Sequence, residues 1–213
     1  MDVYLEIGRK RVFAGAIEWP GWCRNGRDEG SALETLAAYA ARYRTALGPA
    51  ARGFKDDGED LRVVERLKGD ATTDFGAPGI PPSADERSLD PAELKRQTKL
   101  LRASWAAFDA AAKRHARATL RKGPRGGGRE LDAIVKHVLE AEGAYLHRLG
   151  DSSRPSSMKA VRDAFVEMLE MRAAGETPPM GRRTAPLWTL RYAIRRSAWH
   201  ALDHAWEIED RAG

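Results

Sequence analysis

The sequence predicts an α+β protein in which a small β-sheet-plus-helix module is followed by an up-down bundle of four helices. Three observations carry this. Apolar residues alternate with period two near the start, Gly and Pro crowd the stretch 74–87, and beyond Ser88 apolar residues recur at helical spacing in four blocks separated by breakers. The expected division is a module over 1–73, a linker over 74–87 and a bundle over 88–213.

The first elements are two half-buried strands. Val3, Leu5 and Ile7 share one face, and Val12, Ala14 and Ala16 follow after a turn over Gly8 to Arg11. A third short strand is expected over Trp22 to Arg24. Ser31 then reads as an N-cap before a helix carrying Leu33, Leu36, Ala40, Tyr43 and Leu47, which Gly48-Pro49 ends. Leu61, Val63 and Val64 lie between charged flanks and suggest one more strand. Gly76, Pro78, Gly79, Pro81 and Pro82 make the next stretch too rich in breakers to be regular.

Four helices follow. Asp90 caps Pro91 at the first helical position, and Leu94, Leu101, Trp105, Phe108 and Ala112 form a stripe that reaches to about Leu120. The run Gly123 to Gly128 interrupts it. The second helix spans about Arg129 to Leu149 and carries Leu131, Ile134, Val135, Val138 and Tyr145. Pro155 and Ser156 introduce a third, with Val161, Phe165, Met168 and Leu169, ending near Gly175 before Pro178-Pro179. Pro186 opens the last, from Leu187 to about Asp210. Four apolar stripes must face one another to leave water, which is why a bundle is expected.

Composition excludes several classes. With 42% hydrophobic and 31% charged residues, the chain has enough apolar side chains for packed cores. The single cysteine, Cys23, rules out an internal disulfide and gives no reason to expect an oxidising compartment. The opening residues lack a basic segment followed by an apolar run, and no later stretch is long and apolar enough for a membrane span, so a cytoplasmic protein is expected. The net charge of +5 is spread over short clusters, namely Arg9-Lys10-Arg11, Arg121-Lys122 with Arg125, Arg182-Arg183 and Arg195-Arg196. No concentrated patch marks a nucleic-acid surface, and nucleic acid is not expected as the partner.

The chemistry gathers on histidines. His200 and His204 stand four residues apart on the last helix, so both imidazoles leave one face about a turn apart. His137 lies beside Ile134, Val138 and Ala141 at the edge of its helix's apolar stripe and points inward, where an imidazole needs a partner. Three neutral imidazoles from two facing helices supply three ligands of a tetrahedral site with a fourth position open. Zinc fits, as do nickel and iron, since imidazole does not choose among them. Without a metal the same histidines would be core or capping residues. Glu207 shares the face of His200 and suits a hydrogen-bond partner behind the site or a fourth ligand. Arg195 and Arg196, a turn before His200, could steer an anionic substrate. His115 ends the first stripe and is a weaker candidate ligand, whereas His147 falls on the polar face. Cys23 sits in the other module with no histidine nearby and reads as a buried small residue. No side chain is assigned as catalytic.

Two segments carry a resemblance. Val135-Lys136-His137-Val138-Leu139-Glu140-Ala141-Glu142 with Tyr145-Leu146, and Trp199-His200-Ala201-Leu202-Asp203-His204-Ala205-Trp206-Glu207, resemble the second-helix and last-helix motifs of the DinB/YfiT superfamily. The resemblance covers about Ser88 to Arg211 and implies a four-helix bundle with a divalent metal on His137, His200 and His204. It also implies chemistry on a low-molecular-weight thiol of the mycothiol or bacillithiol type: transfer, isomerisation or conjugate hydrolysis. Near the start, paired strands, then Glu18-Trp19-Pro20-Gly21-Trp22, then Ser31-Ala32-Leu33-Glu34-Thr35-Leu36 opening a helix, resemble the HicB-like antitoxin fold, which implies contacts with a protein or nucleic acid. A regulatory or ligand-binding protein is therefore the alternative to an enzyme. Both resemblances imply a homodimer.

Overall fold

The computed structural model describes residues 1–55, 60–122, 128–176 and 186–212. Arg125, Arg182-Arg183, Pro178-Pro179 and most of the glycine run of 123–128 lie outside them. The chain is α+β and forms two compact units, Met1–Arg87 and Ser88–Gly213. No helix among the described residues is long and apolar enough to cross a membrane.

In the first unit, β1 (Asp2–Ile7) pairs antiparallel with β2 (Val12–Ala16), from Val3 opposite Ala16 to Ile7 opposite Val12. β3 (Cys23–Gly26) pairs antiparallel with β2, and β4 (Arg62–Lys68) runs parallel to β1, giving the sheet order β3-β2-β1-β4. Gly15 sits opposite Tyr4, and a Cβ there would come within 2.5 Å of the tyrosine ring, so only glycine lets the ring lie across the sheet. Helix α1 (Glu29–Ala38) packs on β2 and β3. Asp28, not Ser31, is its N-cap. Ser31 occupies the third helical position and returns its hydroxyl to Asp28, completing a capping box. The single helix expected up to Leu47 breaks at Tyr39 and resumes as α2 (Ala40–Leu47).

The first two strands are not half-buried. Val3 and Leu5 on one face, and Tyr4 and Glu6 on the other, are all buried, and residues 71–87 belong to the same unit and pack on the sheet beside Glu6. The buried Glu6 carboxylate accepts hydrogen bonds from the Thr73 hydroxyl (2.5 Å), Gly79 N (2.9 Å) and Ile80 N (3.1 Å), while Ser83 N and Oγ donate to Glu65. A short helix, α3 (Ala71–Phe75), capped by Asp70, begins this segment. Glycine and proline here deny the chain a ladder of its own, and two strand carboxylates hold its backbone donors instead.

The second unit holds four long helices among the described residues: α4 (Pro91–Arg114), α5 (Leu131–Leu149), α6 (Met158–Ala173) and α7 (Leu190–Ala212). Asp90 caps α4 as expected, accepting from Ala92 N and Glu93 N. The helix stops at Arg114, with His115 as its C-cap seven residues after Phe108, and falls short of Leu120. α7 begins after Thr189, whose hydroxyl accepts from Tyr192 N, and not at Leu187. α4 packs on α7, α7 on α5, α5 on α6 and α6 on α4. One core joins them, with Leu101, Trp105, Phe108, Ile134, Val138, Phe165, Leu169 and Ile194 buried within it. Ala198, Ala201 and Ala205 keep α7 slim enough to be buried along most of its length.

Candidate metal centre

The seam between α5 and α7 places the three histidines. On α7, His200 and His204 leave one face a turn apart, with their rings 4.5 Å between centroids. His137 on α5 reaches both, at 5.1 Å and 5.0 Å. His200 Nε2 lies 3.3 Å from His137 Nε2, and one ring nitrogen from each of the three falls within 4.8 Å of the others. Two nitrogens bound to a tetrahedral zinc at about 2.05 Å are about 3.3 Å apart, so the closest pair already stands at a ligand-ligand distance.

The protonation state fits the same reading. Burial pushes His200 well below the ordinary histidine value, helped by His204 and Arg196, and burial with His204 and Arg129 lowers His137. Both rings are therefore neutral at pH 7 and offer lone pairs. His200 Nδ1, on the far side of the ring from His137, is buried with no hydrogen-bond partner among the described residues. His204 is held differently. Its Nδ1 lies 2.7 Å from Glu207 Oε2, and Glu207 Oε1 accepts from Arg211 Nη1 at 2.7 Å. Burial by itself would raise the Glu207 carboxyl, but the hydrogen bonds from His204 and Arg211 outweigh it and hold the group below its usual value. An ionised carboxylate on Nδ1 keeps the proton there and leaves Nε2 as the bare nitrogen. The residues present fit a divalent ion on His137, His200 and His204, with Glu207 behind His204 rather than beside the ion.

An aromatic wall flanks the triad. The Tyr145 ring is 5.7 Å and the Trp199 ring 6.1 Å from that of His200. The Arg196 guanidinium lies over both, 5.8 Å from Tyr145 and 4.7 Å from Trp199. Of the two arginines expected to steer an anion, it is Arg196 that flanks the histidines; Arg195 is buried on α7. His115 is the C-cap of α4 and lies outside the cluster, and His147 is exposed, its Nδ1 3.2 Å from Asp151 O. Cys23 is buried in the first unit. Arg211 was not singled out from the sequence. Its place four residues after Glu207 on one helix face is the signal that would have found it.

No family model, curated protein or solved structure matches the chain.

Proposed function

We propose that the second unit is an up-down four-helix bundle of the DinB/YfiT type that holds one divalent metal, zinc first and nickel or iron next, on His137, His200 and His204. We further propose that it is a metal-dependent transferase, isomerase or hydrolase acting on a low-molecular-weight thiol of the mycothiol or bacillithiol kind, or on its conjugate. The single observation that carries the reading is the convergence of three imidazoles from two helices, with one ring nitrogen of each within 4.8 Å of the others. A metal bound there would supply a Lewis acid able to activate a thiol or water at neutral pH.

The chain's own residues do the rest. Glu207, fixed by Arg211, keeps the proton on His204 Nδ1 and so presents Nε2 to the site. Tyr145 and Trp199 limit water at one side of His200, and Arg196 between them offers a cation to an anionic part of the substrate. The test is a thiol-consumption assay. Metal-loaded protein is incubated with mycothiol or bacillithiol and an alkylating electrophile, and free thiol is followed against a His137→Ala/His200→Ala/His204→Ala variant. Turnover by the native protein alone is expected. No turnover with either thiol under zinc, nickel or iron would contradict the reaction while leaving the metal site standing.

A second reading has one observation in its favour. The first unit exposes Phe75 (89%) and Val64 (48%), surface that an interaction module would use. On this reading the unit is HicB-like and mediates protein or nucleic-acid contacts in a non-enzymatic, ligand-binding cytoplasmic homodimer. Salt-sensitive binding to generic duplex DNA is what this reading requires and the enzyme reading does not.

A further inference from the structure

The hydrogen bonds behind His204 do not end on the helices that carry the histidines. Glu207 Oε2 lies 2.7 Å from His204 Nδ1, and Glu207 Oε1 accepts from Arg211 Nη1 at 2.7 Å. From Arg211 the contacts leave α7. Its Nε donates to the Arg121 carbonyl at 2.8 Å, Arg121 N donates to the Arg211 carbonyl at 2.8 Å, and Arg121 Nη2 donates to Asp210 O at 2.7 Å. Arg121 lies ninety residues earlier, on the connection between α4 and α5.

A second residue of that connection closes the other side of the guanidinium. Gly128 holds φ at +136°, and a Cβ there would stand 2.6 Å from Arg211 Nη2 and 2.9 Å from its Cζ. The end of a free arginine would swing aside at little cost. This one is held at Nε and at Nη1, so a displacement breaks its bond to Arg121 or its bond to Glu207. An exposed pair of this i,i+4 spacing would fix little. Here the Arg211 side chain is only 12% exposed and is gripped from two directions, so the carboxylate of Glu207 is given a defined place.

We infer that Arg121 and Gly128, neither of them on a helix that bears a ligand, are positioning residues for the metal. They fix Arg211, Arg211 fixes Glu207, and Glu207 orients the His204 imidazole. The inference rests on the metal reading and adds to it that affinity is set in part from the α4–α5 connection. A carboxylate left to choose among rotamers would orient His204 for only part of the time, and orientation lost is affinity lost.

The test is a double-mutant cycle read by chelator competition, with zinc, or with nickel or iron where zinc does not bind. The full chain is compared with Arg211→Met, Gly128→Ala, Glu207→Ala and the two double variants that combine each of the first two with Glu207→Ala. Urea midpoints of the metal-free samples are measured alongside. Arg211→Met should weaken the metal about fivefold or more, and Gly128→Ala should weaken it in the same direction by less. With Glu207 already removed, each change should have an effect below about twofold, because a residue that acts through the carboxylate has nothing left to act on. A purely structural role would give the same loss of affinity with and without Glu207, in step with the urea midpoint. Equal losses in the two backgrounds, or native affinity in either Arg211→Met or Gly128→Ala, would overturn the inference and leave the metal site standing. A native chain that takes up none of the three metals would overturn both.

Discussion

Two clusters of polar side chains are buried in the second unit, and they are built on opposite principles. In one, Glu142 is 1% exposed and accepts from Arg162 Nε at 2.9 Å, and the same guanidinium donates twice to Asp109, which is 56% exposed. Arg162 also lies 5.3 Å from the Trp105 ring, so charge is answered by charge and the network ends at solvent. In the other, three imidazoles face one another, two of them neutral at pH 7, and one buried nitrogen has no partner among the described residues. The first cluster is complete with protein atoms alone. The second turns neutral imidazoles towards one another with the closest nitrogens 3.3 Å apart, and that contrast distinguishes a charge-paired network from one whose residues suit a metal.

The largest expected effect breaks the first cluster. At pH 8, where Glu142 is ionised in the folded protein, Arg162→Leu strands its carboxylate and should cost about 3–5 kcal/mol of unfolding free energy in urea. His200→Leu in metal-free protein, by contrast, removes an unpaired buried nitrogen at similar volume and should change stability by less than about 1 kcal/mol. Equal losses in the two variants would erase the distinction. Next in size, Glu207→Ala frees His204 from its orienting carboxylate and should lower zinc affinity about 10- to 100-fold in a chelator competition, with the metal-free fold retained by circular dichroism.

The two clusters also predict opposite pH dependence. Burial raises Glu142 to about 7 against the ordinary 4.5, so the folded state holds its proton longer than the unfolded chain. Stability from this group is greatest below pH 4.5 and declines as pH rises towards 7. Burial lowers His137 and His200 below 6.5, so the folded state releases their protons earlier, and stability falls as pH drops below 6.5. Each slope is at most about 1.4 kcal/mol per pH unit for one proton. Urea midpoints across this range should climb more steeply with pH in Glu142→Gln than in the native protein, and less steeply in His200→Leu. As a calibration touching neither cluster, Asp90→Ala removes the α4 cap and should cost about 1 kcal/mol.

These clusters were unequally legible. The histidines could be read because helical spacing alone brings His200 and His204 to one face and His137 to a stripe edge. The Glu142–Arg162–Asp109 network could not, since its members come from three helices and two of them look like ordinary surface charges. The first unit shows the same limit. Alternation predicted β1 and β2, but nothing local in 74–87 announces that its backbone donors answer Glu6 and Glu65, residues more than seventy and nearly twenty positions earlier. Capping was legible where proline fixed the start, at Asp90-Pro91. It was misread at Asp28, where Ser31 is an equally good cap by residue type and only the extended backbone at Asp28 decides.

The most direct measurement is zinc uptake by metal-free, untagged protein in competition with a colorimetric chelator, alongside the His137→Ala/His200→Ala/His204→Ala variant. The native chain is expected to take one equivalent and the variant none. A native protein that binds neither zinc nor nickel nor iron, or a variant that binds as well as the native chain, would contradict it.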